Sequence, residues 1–91
     1  MAPISLIMPT IDWGPTFASC LQAALGSLRS GDELLVVFDG LPPPPPDWLR
    51  DSGAVLLNTG VCSGPAAARN LGANQARHPI LLFVDADVEL H

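Results

Sequence analysis

The sequence predicts an α/β fold: a Rossmann-like half-domain, a parallel sheet of about four strands ordered 3-2-1-4 with helices on both faces. Two observations carry this. Short apolar runs (Ile4–Met8, Glu33–Phe38, Ala54–Leu57 and Ile80–Val84) alternate with segments of helical period or helix-start chemistry. The runs are also continuous rather than alternating, as expected of strands covered on both faces. At 91 residues, 48% of them hydrophobic and 14% charged, the chain makes one small globular domain, far from the disordered class.

Ile4–Met8 ends at Pro9 and reads as a buried strand. Asp12 to Pro15 is turn chemistry, placing Asp12 and Trp13 either at the mouth of a pocket or in a plain turn. From Pro15 to Leu28, Phe17, Leu21, Leu25 and Leu28 recur every three or four residues, with proline in the first turn, where its missing N–H costs nothing. Ser30 and Gly31 stop this helix. Glu33–Phe38 is the second strand, closed by Asp39 and Gly40.

Pro42 to Pro46 are five consecutive prolines, which favour an extended polyproline II spacer of about 15 Å at about 3.1 Å per residue. A rigid surface connector and a ligand for an SH3-type partner are both open readings. A short helix follows at Asp47–Asp51, then the third strand. Gly60–Gly64 is a loop, with Ser63 or Gly64 as N-cap of a small-residue helix over Pro65–Gln75. A helix start of this kind can hold a phosphate through its N–H groups. Arg69 and Asn70 lie one turn in. His78-Pro79 breaks the chain before the fourth strand, and His78, at the far end from the strand tips, is expected to be structural.

Nine acidic residues face four arginines and no lysine, for a net charge of −5. Too few cations exist to build a basic face, which excludes general nucleic-acid binding and disfavours an anionic membrane surface. No apolar run reaches the roughly 18–20 residues of a membrane span, and MAPISLIMPT lacks a basic leader region. Cys20 and Cys62 have no metal-ligand spacing. They read as two buried thiols suited to a reducing cytoplasm.

Ligands of such sheets bind outside the carboxyl ends of the strands, where strand order reverses. The order 3-2-1-4 gathers Pro9-Thr10, Asp39 and the pair Asp85/Asp87 on that rim. GVCSGPAAARNLG is neither a dinucleotide fingerprint nor a P-loop, which needs a lysine the chain lacks. The terminal D-A-D is more informative. Aspartates at i and i+2 of an extended segment point the same way and repel unless a cation lies between them. Hard oxygen donors suit Mg²⁺ or Mn²⁺, which brings substrate phosphates with it. Glu89 and His91 are expected to be exposed rather than ligands.

ISLIMPT, ELLVVFDG, GPAAARNLGANQA and ILLFVDADVELH together resemble the N-terminal, nucleotide-sugar-binding half of an inverting family 2 glycosyltransferase with the GT-A fold. The resemblance implies that Pro9, Thr10 and Asp39 cradle the nucleotide base and that Arg69 sits near the base or diphosphate. It places Asp85 at the ribose and Asp87 on a divalent cation, Mn or Mg, that bridges the diphosphate of a nucleotide-diphospho-sugar, a UDP-sugar by expectation. Phe38-Asp39-Gly40-Leu41 departs from the family's D-D-G-S: Phe38 stands where a base-contacting acid is often found. The pentaproline replaces the usual polar continuation.

The family's catalytic domain runs well over twice this length, its acceptor half and general base following the D-x-D. These residues alone are therefore not expected to make an efficient transferase. A bare ILLFV edge invites pairing with another chain, so a homo-oligomer is expected. The competing reading is a non-catalytic oligomeric module with a vestigial site. A haloacid-dehalogenase-like phosphatase would carry its D-x-D after the first strand. A nucleotidyltransferase would need a basic glycine-rich loop there.

Overall fold

The computed structural model of the protein describes residues 3–84. Seven elements follow one another: β1 (Ile4–Thr10), α1 (Pro15–Ser27), β2 (Glu33–Phe38), α2 (Asp47–Arg50), β3 (Val55–Asn58), α3 (Pro65–Gln75) and β4 (Ile80–Phe83). All strand pairs are parallel and the order is β3-β2-β1-β4, as the sequence predicts.

The pleat sorts the core into two layers. Leu6, Met8, Leu34 and Val36 face Phe17, Leu21 and Ala24 of α1 and Leu49 of α2. Their odd-numbered neighbours Ile7, Leu35 and Val37 face Ala68 of α3. This two-sided burial explains why the strand sequences are apolar without alternation. α3 affords close approach through Ala68 and Gly72, four residues apart on one face. A Cβ built on Gly72 would lie 2.5 Å from Ile7 Cγ2 and 3.2 Å from Val37 Cγ2.

β1 runs two residues further than its apolar pattern, through Pro9 and Thr10, which pair with Val37 and Phe38. A proline inside an inner strand requires that its missing N–H face an unused side. Ile7 C=O accepts from Val84 N–H on the β4 side, and Thr10 C=O accepts from Asp39 N–H on the β2 side. By alternation, the N–H absent from Pro9 points toward β4, past Ile7 with Phe83, the last pair among the described residues. Among the described residues, Pro9 thus extends β1 along β2.

At the amino ends of the strands the polar side chains bind one another. Ser5 Oγ, fully buried, donates to Glu33 Oε2 at 2.6 Å and accepts from His78 N–H at 3.2 Å. Asp32 accepts from the backbone N–H groups of Ile4 and Arg29, both at 2.9 Å. His78 Nε2 lies 2.8 Å from Gly31 C=O and must carry the proton, because a carbonyl only accepts. His78 is therefore a structural fastener of this edge.

One expectation is corrected. Cys62 is exposed and Cys20 half-buried, and neither is in a disulfide. Residue 62 falls in the loop that crosses the rim before α3 begins, so no layer covers it. Among the described residues no helix is long and apolar enough to cross a membrane.

Candidate functional site at the carboxyl rim

Three loops leave the carboxyl ends of β1, β2 and β3, and one acidic side chain ties the second to the third. Asp39, directly after β2, is buried. Its Oδ1 accepts from Ser63 N–H at 2.8 Å and from Thr59 Oγ1 at 3.1 Å. Its Oδ2 accepts from Gly64 N–H at 3.0 Å, with Cys62 Sγ at 3.5 Å. The Ser63 N–H first, then the Gly64 N–H and the Thr59 hydroxyl, hold the Asp39 carboxyl below its ordinary range, against the opposing effect of burial.

The carboxylate thereby does for α3 what its N-cap cannot. Gly64 occupies the N-cap at φ 93° and makes no side-chain cap. Asp39 binds the two N–H groups just ahead of the helix and places a negative charge at its positive end. The Ser63 and Gly64 N–H groups are thus engaged by the protein's own carboxylate.

Thr59 closes the loop from the other side. Its hydroxyl oxygen accepts from Gly40 N–H at 2.7 Å, and its one proton is shared between Asp39 and Val61 C=O at 2.7 Å. Gly40, at φ 111°, turns the chain sharply after Asp39 in a conformation few side-chain-bearing residues adopt. Thr10, 6% exposed, turns the first loop: its hydroxyl donates to Asp12 C=O at 2.8 Å. Asp12 Oδ1 then accepts from Gly14 N–H at 2.9 Å, so Asp12 takes the turn reading.

Beside these polar groups stands an aromatic stack. Trp13 lies 4.7 Å from Phe38 and 5.3 Å from Phe17, centroid to centroid, both tilted; Phe17 lies 6.3 Å from Trp48. Phe38 is 6% exposed. The position after Val37 thus presents a buried ring held against Trp13, where a carboxylate would have offered acceptors. Trp13 Nε1 donates to Pro43 C=O at 2.9 Å, tying the first loop to the pentaproline. Three exposed aliphatics, Ile11, Leu41 and Val61, mark the three loops.

Of the residues singled out in the sequence, Pro9, Thr10 and Asp39 lie together at the ends of the paired strands β1 and β2. Arg69 is half-buried in the second turn of α3. Asp85 and Asp87 lie outside the described residues, and among the described ones no three His, Cys, Asp or Glu side chains form a metal-binding group. Sequence reasoning missed Thr59 and the Trp13–Phe38 stack. Thr59 sits in an ordinary turn composition, and its partner is 20 residues away.

A four-stranded parallel sheet in this order, with Pro9, Thr10 and Asp39 at the carboxyl ends of β1 and β2, is a Rossmann-like α/β arrangement. Glycosyl transferase family 2 matches residues 5–91, nearly the whole chain. The protein belongs to that family, whose members transfer glycosyl groups from nucleotide-sugars and often use divalent cations. No curated protein matches it.

Proposed function

We propose that these residues form the donor-binding portion of a glycosyltransferase that takes a nucleotide-diphospho-sugar, a UDP-sugar first among them, with a divalent cation. The observation that carries the reading is the rim itself: Pro9, Thr10 and Asp39 share it, and the family match runs past β4 to include Asp85 and Asp87. In this reading Pro9-Thr10 and the loop that Asp39 holds shape the base side, and Arg69 reaches the base or diphosphate. Asp85 meets the ribose and Asp87 the cation. The two carboxylates are a hard-oxygen donor set of the kind Mg²⁺ and Mn²⁺ accept. The cation, when bound, offsets charge on the leaving diphosphate.

Calorimetric titration with UDP in Mn²⁺, repeated in EDTA and with Asp87→Ala, tests this. Binding that requires Mn²⁺ and Asp87 supports it; failure to bind UDP in Mn²⁺ sinks it. A second reading, a non-catalytic module assembled as a homo-oligomer, is favoured by the exposed apolar edge of β4, where Ile80, Leu82 and Phe83 are 44–50% exposed. Light scattering across a concentration series tests it: a constant monomer mass refutes the oligomer.

A further inference from the structure

The pentaproline has no part in the nucleotide reading, yet it is presented in a definite way. Pro46 has φ −66° and ψ 157°, the polyproline II region, and no cis peptide bond occurs among the described residues. Exposure is uniform along two of the three edges such a helix presents, while on the third Pro43 is exposed and Pro46 half-buried. Pro42 and Pro45 are both half-buried and form the edge turned to the protein. Leu41 and Pro44 are both exposed, Leu41 at 78%, and Pro43 beside them is exposed as well.

We propose that Leu41–Pro46 is an interaction surface for a partner domain with an aromatic-lined groove that reads polyproline II helices. Such grooves of the SH3, WW and EVH1 kind hold the outward edges of a preformed, low-entropy helix and leave one edge unread. Here the unread edge is the one the protein body covers. Trp13 fixes the strap at its middle through Pro43 C=O, and the strap's end is fixed where Leu49 and Arg50 N–H donate to Pro46 C=O. Both fastenings remove motion that a partner would otherwise have to freeze, which favours binding. Leu41 adds an apolar anchor at the start of the helix.

The test is an NMR titration of the intact protein into isotope-labelled SH3, WW and EVH1 domains. A synthetic peptide spanning residues 41–47 serves as reference. Saturable shifts at groove aromatics of one domain are expected. In the double variant Leu41→Ala/Pro44→Ala affinity should fall at least about tenfold, an anchor loss of about 1.4 kcal/mol. Pro42→Ala, on the covered edge, should leave it within about twofold. If the double variant fails to fold, Leu41→Ala alone carries the same reading. A peptide that binds while the intact protein does not would overturn the proposal. So would silence of both toward all three domains, or equal loss from the outward and covered edges.

Discussion

Substituting Gly72 by alanine should destabilise the protein, against the usual rule for a helix interior. Removing glycine from a helix ordinarily gains about 0.8–1.0 kcal/mol. At Gly72 the new methyl would lie 2.5 Å from Ile7 Cγ2, 3.2 Å from Val37 Cγ2 and 3.4 Å from Ile7 Cγ1. Carbon atoms rest at about 3.5–4.0 Å, so α3 would have to lift by about 1 Å. Neither neighbour can turn aside, because both are β-branched, fully buried and locked in the two innermost strands. Overpacking of this kind costs about 1–3 kcal/mol, and a contact this short falls at the upper end. The net is a loss of about 1–2 kcal/mol, or about 4–8 °C in Tm for each kcal/mol.

Gly26 of α1 supplies the control, since a Cβ there meets nothing within 4 Å. Gly26→Ala should stabilise by about 0.5–1 kcal/mol. Urea unfolding followed by circular dichroism reads both, with the slope m unchanged if only stability has moved. Equal stabilisation by the two substitutions would show that α3 does not rest on Ile7 as described.

Three other outcomes follow from the polar networks. The hydrogen bond from Cys62 to Asp39, and then the charge of Asp39, push the Cys62 thiol up; Asp39→Asn in a Cys20→Ser background should therefore speed its reaction with a disulfide reagent several-fold near neutral pH, and an unchanged or slower rate would contradict the contact. Asp32, Glu33 and Asp39 all titrate below their ordinary values: for Asp32 the Arg29 and Ile4 N–H groups dominate; for Glu33 burial opposes, and the Ser5 hydroxyl and Arg77 N–H together outweigh it; for Asp39 the Ser63 N–H leads. The unfolded chain then binds protons first as pH falls, so their stabilisation is complete above pH 4.5, the ordinary glutamate value, and drains away as pH drops through the lowered native values; a urea midpoint that rose on acidification from about pH 5 to about pH 3 would refute the sign. Ser5→Ala removes a fully buried hydroxyl that partners Glu33 and His78 N–H and should cost about 1–3 kcal/mol by urea unfolding, a loss below about 0.5 kcal/mol showing that water replaces the hydroxyl.

Most of the fold was legible because burial leaves its mark on the sequence, as continuous apolar runs in the strands and as a helical period in α1. Leu6-Ile7-Met8 and Leu34 to Val37 announce inner strands, and Phe17 and Leu21 announce the helix that covers one face. The strand ends were less so. β1 continues through Pro9 because its missing N–H falls on the β4 side while its pairing with β2 is kept, a fact about the strand order and not about β1's own sequence. Asp39 was legible as a rim residue, but its four partners were not: Thr59, Cys62, Ser63 and Gly64 come from 20 to 25 residues further on, and only the crossover geometry brings them to it. Cys62 misled for the same reason, since its residue type favours burial while the crossover leaves it on the rim.

The way Asp39 is used bears on how the rest of the rim would work. A carboxylate already receiving two backbone N–H groups and a hydroxyl has little capacity left for a ligand, and Phe38 beside it offers none. The described part of the rim is thus an apolar wall of Trp13 and Phe38 beside a loop pinned by an internal anion. Such a surface can shape a ligand and exclude water, but apart from Arg69 it adds no positive charge to offset a diphosphate. Four arginines and no lysine leave few cations elsewhere. In the proposed reading, a nucleotide diphosphate on this rim draws the rest of its counter-charge from a cation in solution. In the proposed reading that places the electrostatic demand on Asp87, and it makes Mn²⁺ dependence the sharpest single property of the site.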